Sequence, residues 1–126
     1  MTDFQRIAID GAEYDIVLPH KDTDYIQRRI FEEAAPYEVA MLQDMAGRMS
    51  PGDLVLDVGA NIGNHSLYLS AVAECRVHAF EPNPSLCDAL KESLARNKLN
   101  SRVIVHCVGV GSQAGKAHFH HTDENN

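Results

Sequence analysis

The sequence predicts an α/β fold in which a β-hairpin and a helical lead-in precede a Rossmann-like parallel sheet. Three observations lead there. From Leu54 onward, short apolar runs alternate with stretches of helical spacing, the order expected of βαβ units. The run from Leu54 to Val58 is apolar except for Asp57, the pattern of a central parallel strand buried on both faces. A turn bearing Gly59 and Gly63 follows that strand and opens a helix, where open α/β sheets bind ligands.

In chain order, Arg6 to Ile9 and Tyr14 to Leu18 read as extended runs joined around Asp10-Gly11, a dipeptide that favours the tight turn of a hairpin, with Pro19 ending the second run. Between Asp24 and Met49, Tyr25, Ile26, Ile30, Val39, Leu42, Met45 and Met49 recur at helical spacing, and Pro36 divides the stretch into two helices. The breaker cluster Ser50-Pro51-Gly52-Asp53 closes this lead-in, so residues 1–50 form the hairpin and helices and 51–126 the sheet-forming core. Within the core the pattern predicts a helix from Asn64 to Ala73, a strand from Arg76 to Phe80, a helix from Pro84 to Arg96 and a strand from Val103 to Val108. Right-handed crossovers would join them. Pro84 suits the first turn of its helix, and Leu86, Leu90 and Leu94 form an apolar stripe. Gly111 to Gly115 reads as a turn, Lys116 to His120 as a short strand, and the rest as a polar tail.

A length of 126 residues suits one domain. Apolar residues are 44% and charged residues 23%, and no apolar run approaches the roughly 18 residues of a membrane span. The polar, acidic start lacks the pattern of a secretory signal, so a cytoplasmic location is the default expectation. Cys75, Cys87 and Cys107 fit neither a disulfide framework nor a zinc site and are expected to be buried free thiols. A net charge of -7 disfavours general attraction to nucleic acid or an anionic membrane and suits a small or neutral substrate. His118, His120 and His121 cluster without a carboxylate or cysteine at ligand spacing, so no metal is expected.

The chemistry centres on two acids. Asp57 ends a strand just before glycines at 59 and 63, and the following helix N-terminus offers N–H groups and positive potential suited to a carboxylate. A dinucleotide fingerprint would need glycines at 59, 61 and 64, and both Asn61 and Asn64 break it. S-adenosylmethionine needs no such pyrophosphate approach. Asp57 would favour its cationic amino end. Glu81, 24 positions further on at the end of the next strand, is placed to accept hydrogen bonds from both ribose hydroxyls. Asn64 reads as a helix cap and His65 as a surface residue, with the amides of both able to reach the methionyl end of the donor as the alternative; Glu38 reads as an exposed helical glutamate, with a place at the cofactor cleft as the alternative.

The runs VLDVGANIGNHSLYLS (Val55 to Ser70) and HAFEPNPSLCDALKESLARN (His78 to Asn97) closely resemble the FkbM-type S-adenosylmethionine-dependent methyltransferases. The likeness extends from about Tyr37 to Phe119 and includes Tyr37-Glu38 and Pro51-Gly52-Asp53. The resemblance implies the opening part of a class I methyltransferase fold, with S-adenosylmethionine as donor and a hydroxyl of a sugar, glycan or natural product as acceptor. It places the donor at Asp57, Gly59, Ala60, Asn61, Gly63, Asn64, Glu81 and Pro82, with Val108 and Gly109 against the adenine through backbone and apolar contacts. No catalytic base is identifiable. A complete family fold would add four more strands, one pairing the strand Leu54 to Val58, so that edge is expected to pair with the hairpin or with a second copy in a homodimer. A non-catalytic S-adenosylmethionine-binding module is the alternative function.

Overall fold

Asp10 and Gly11 both take positive φ, 49° and 82°, the mirror-image turn whose twist matches that of two antiparallel strands. The computed structural model, which describes residues 2–116, accordingly opens with a hairpin of β1 (Phe4–Ile9) and β2 (Ala12–Val17), with Ile9 opposite Ala12. The turn is anchored as well as tight. The Asp10 carboxylate accepts hydrogen bonds from the Tyr68 hydroxyl at 2.6 Å and from Gln43 Nε2 at 3.1 Å.

The helical lead-in divides as Pro36 requires. Helix α1 (Tyr25–Glu33) begins where the Asp24 side chain accepts from the Gln27 amide, and it ends at Ala34 in the left-handed region, two residues before the proline. Helix α2 (Val39–Gly47) follows, entered through Glu38, which is also left-handed.

The core alternates as expected: β3 (Leu54–Val58), α3 (Asn64–Ala71), β4 (Arg76–Phe80), α4 (Pro84–Asn97) and β5 (Val103–His106). The strands form a parallel sheet in the order β3-β4-β5, with Asp57 beside Ala79 and Phe80 beside His106. Pro84 opens α4 behind Asn83, whose side chain accepts from the Ser85 amide. Two ends of the core fall short of expectation. Helix α3 stops two residues early, where Glu74 turns left-handed and Cys75 N reaches back to Leu69 O at 3.0 Å. Strand β5 stops at His106 instead of Val108, and the last rung of its ladder with β4 is the Glu81 amide donating to the His106 carbonyl at 3.0 Å. Lys116 is not in a strand, and the remainder of the expected strand to His120, with the cluster His118, His120 and His121, lies outside the described residues.

Strand order explains where the core sits. With β3, β4 and β5 side by side in sequence order, two crossovers of the same hand place both α3 and α4 on one face of the sheet. The hairpin then packs on the far side of those helices, giving three layers: sheet, helix pair, hairpin. Val17 N donates to Ser93 Oγ at 2.9 Å, and the Asn97 side chain brackets the Asp15 backbone, accepting from its N–H and donating to its carbonyl, each at 2.7 Å. The Asp15 carboxylate pairs with Arg96 at 3.0 Å and Arg6 at 3.1 Å. Ile7, Tyr14 and Ile16 join Leu67, Val77 and Leu90 in one buried cluster.

Two expectations are corrected by this arrangement. Strand β3 is not buried on both faces: Leu54, Leu56 and Val58 are 54%, 63% and 61% exposed on the side that neither crossover covers, whereas Val55 and Asp57 face the helices. Nor does the hairpin pair with the β3 edge; it is a separate sheet, because its own apolar side is covered by α3 and α4. No helix among the described residues is long and apolar enough to cross a membrane. The two faces predict opposite mutational costs. Leu56→Gln should change the free energy of unfolding by less than about 0.5 kcal/mol, whereas Leu90→Ala, at a fully buried position, should lose about 2–5 kcal/mol, both read from urea denaturation.

Candidate ligand-binding site

The site forms where β3 and β4 end. Gly59 N and Ala60 N both donate to the Phe80 carbonyl, at 2.9 and 3.0 Å, so the turn after β3 is tied to the end of β4. Gly59 has φ of 75° and no atom within 4 Å of the position a Cβ would take, so its backbone faces open space. Asn61 is left-handed too, with φ of 57°, and its side-chain oxygen accepts from the Ile62 amide at 2.7 Å. That local bond is what lets asparagine hold a conformation usually left to glycine. Gly63 serves a different purpose. At φ of 96° it caps α3, and a Cβ there would overlap Leu90 Cδ1 in the core.

Glu81 holds this loop from below. Its carboxylate is buried, with Oε1 accepting from Asn61 N at 2.8 Å and Oε2 accepting from Asn83 N at 3.0 Å. Each oxygen keeps further acceptor capacity. Pro82 beside it is exposed and lies 3.8 Å from where a Gly109 Cβ would be. Gly109 thus lies against Pro82, with the 54%-exposed Val108 before it in the loop after β5.

The other acid faces inward. Asp57 is buried and its Oδ2 accepts from Ser66 Oγ at 2.6 Å, tying β3 to α3. Gly63, not Asn64, is the cap residue of α3. The Asn64 side chain is engaged elsewhere: it accepts from Tyr37 N and donates to Tyr37 O, both at 2.9 Å, bolting the α1–α2 corner to the glycine turn. Between them lies a cavity of about 180 Å³ lined by Ile26, Tyr37, Glu38, Gly59, Ala60, Asn61, Ile62, Asn64 and His65. Glu38 is exposed as expected, but it stands at the mouth of that cavity, at the entry to α2 and not along it. Tyr37 and Ile26 were not expected here, because the contact that brings them spans 27 residues of chain.

None of the thiols, nor His78 or His106, lines this cavity. Cys75 and Cys87 are buried, but Cys107 is exposed, a correction that goes with β5 ending at His106, two residues short of Val108. Burial pushes the Cys87 thiol up to about 12, helped by its hydrogen bond with Cys107, and burial also raises Cys75. His78 and His106 stack on the uncovered sheet face with Nδ1 and Nε2 2.9 Å apart, and Phe80 stacks on His106. No group of three or more potential metal ligands occurs among the described residues.

A glycine turn pinned to an acid at the next strand end, on a parallel sheet, lies where open α/β sheets bind ligands, and comparison with known proteins gives the family. The model of the methyltransferase FkbM domain matches residues 57–126. The chain is 43% identical over 56 residues to the 31-O-demethyl-FK506 methyltransferase FkbM of Streptomyces tacrolimicus, covering 44% of this chain and 22% of that one. It is 30% identical over 102 residues to the tRNA (guanine(37)-N(1))-methyltransferase of Dictyostelium discoideum, covering 78% of this chain and 22% of the relative. Among solved structures, P. horikoshii TYW2 in complex with MeSAdo shares the fold, with a TM-score of 0.62 and 23% identity over 86% of this chain and 37% of that one. The chain belongs to the FkbM methyltransferase family. It spans between 22% and 34% of the length of the curated relatives it matches.

Two outcomes follow from this geometry. Gly63→Ala combines left-handed strain with overpacking against Leu90 and should cost about 2–4 kcal/mol, lowering Tm by on the order of 10 °C in a thermal melt. Iodoacetamide at pH 8 should alkylate Cys107 well before Cys75 or Cys87, because only thiolate reacts and burial keeps the latter two protonated; peptide mass mapping over time reads the order.

Proposed function

We propose that this chain holds S-adenosylmethionine across the ends of β3 and β4, as the donor-binding part of a methyltransferase that modifies a hydroxyl of a sugar, glycan or natural product. The observation that carries the reading is the Glu81 carboxylate, which holds the glycine turn with one bond per oxygen and keeps acceptor capacity for a ribose diol. The residues present fit the donor in two further ways. The open space over Gly59 lets a ligand lie against the main chain. The N-terminus of α3, capped by Gly63, presents amides and positive potential to a carboxylate.

When bound, S-adenosylmethionine would supply an electrophilic methyl on its sulfonium, a C–O bond to the acceptor forming in line as the C–S bond breaks, with S-adenosylhomocysteine leaving and the hydroxyl proton passing to a base or to water. The contribution of this chain is to bind and orient. Glu81 and the turn fix the nucleoside, α3 fixes the amino-acid end, and Pro82, Val108 and Gly109 offer a flank for the adenine. Holding one reactant in a single pose lowers the entropic part of the barrier to methyl transfer. None of the described residues is assigned as the base. The net charge of -7 favours a small or neutral acceptor over a polyanion such as RNA.

Calorimetry separates this reading from its rivals. The chain should bind S-adenosylmethionine and S-adenosylhomocysteine but not NAD, and Glu81→Ala should abolish binding. Gly59→Ala, with strain of only about 1 kcal/mol, should stay folded and lose affinity because its methyl occupies the space over the turn. Binding of NAD without S-adenosylmethionine would refute the proposal. Donor binding with no turnover by the full-length protein on hydroxylated acceptors would favour a non-catalytic binding module.

A further inference from the structure

The α1–α2 corner is held in a way that neither helix requires. Glu38 takes φ of 59° and ψ of 51°, a left-handed conformation that an L-residue with a long side chain adopts at a cost. It stands at the N-cap of α2, yet its side chain makes no capping bond. Among the described residues it forms no ion pair either. What fixes the corner is the Asn64 side chain, which accepts from and donates to the backbone of Tyr37, both bonds at 2.9 Å. Asn64 opens α3 directly after the glycine turn, so the same residue couples the corner to the loop.

The result is that Glu38, exposed to solvent, lines the cavity together with Gly59, Ala60 and Asn61. At about 180 Å³ the cavity is smaller than the roughly 300 Å³ at which pockets for drug-sized ligands begin. It suits a short chain better than a nucleoside. Glu81 lies under the same turn through its bond to Asn61 N, so a ligand whose ribose meets Glu81 extends its tail over the turn toward Glu38. Such a tail in S-adenosylmethionine is a zwitterion. Its carboxylate finds the N-terminus of α3, and its ammonium needs an anion: Asp57, expected from the sequence to favour that end, is buried and accepts from Ser66 Oγ, whereas Glu38 is exposed and lines the cavity.

We propose that Glu38 binds the α-ammonium of the donor's amino-acid end and that Asn64 is the positioning residue that holds Glu38 there. The proposal rests on the donor reading above, and the experiment separates the two. Calorimetry would compare S-adenosylhomocysteine, its desamino analogue, and 5′-methylthioadenosine, which keeps the nucleoside and lacks the amino-acid end. The unsubstituted chain should bind S-adenosylhomocysteine about tenfold or more tighter than the desamino analogue, the difference a hydrogen bond to a charged group makes. Glu38→Gln should remove that difference and leave 5′-methylthioadenosine affinity unchanged, so that this ligand also reports folding. Asn64→Ala should show the same selective loss to a smaller degree, and Glu38→Asp should recover part of it. Equal affinity of the unsubstituted chain for S-adenosylhomocysteine and its desamino analogue would overturn the role of Glu38, as would a Glu38→Gln variant that still tells them apart. Failure of the unsubstituted chain to bind any of the three would instead overturn the donor reading, and this inference with it.

Discussion

Both oxygens of a buried carboxylate, Glu81, are bonded to main-chain amides on two different loops, and the site depends on that. One amide belongs to Asn61 after β3 and the other to Asn83 before α4. Hydrogen bonds to a charged acceptor contribute about 1.5–3 kcal/mol each, enough to hold a turn in which Gly59, Asn61 and Gly63 are all left-handed. The Phe80 carbonyl adds two more bonds to the same turn. The acid placed to meet a ribose is thus the acid that shapes the loop beneath the rest of the ligand. Pre-organisation and recognition share one side chain.

The layering follows from handedness and sequence order. Two consecutive right-handed crossovers put α3 and α4 on the same face, and the hairpin closes those helices from outside. The opposite face therefore carries Leu54, Leu56, Val58 and Ile104 in the open, together with the stacked His78 and His106. Its composition is that of an interior, since Leu and Ile at more than half exposure are otherwise core residues. The ligand side is set independently of that face. Asp57 points into the helix layer, and its bond to Ser66 fixes the angle at which α3 leaves the turn.

Much of this was legible in the residues. Asp10-Gly11 specified the hairpin turn because both positions need positive φ, and the spacing of Leu86, Leu90 and Leu94 marked the buried side of α4. Pro36 divided the lead-in because neither helix could run through it. The acids at 57 and 81 stood out because they fall at strand ends. What escaped was non-local. An apolar run such as Leu54 to Val58 records a strand suited to burial on both faces, but it does not say which faces are covered in this chain. Glu38 read first as an exposed helical glutamate and only second as a residue of the cleft, because its left-handed backbone and the Asn64 bonds to Tyr37 depend on residues far apart in sequence.

The most direct test of the central claim is an amide-resolved NMR titration of this chain with S-adenosylhomocysteine. If the pinned turn and its acid form the donor site, shifts will concentrate at Gly59 to Asn64, at Glu81 and at Gly109. The strands of the hairpin and the exposed sheet face around Leu56 and Ile104 will stay still. Saturable shifts centred on that exposed face, or none at all around Glu81, would contradict the account.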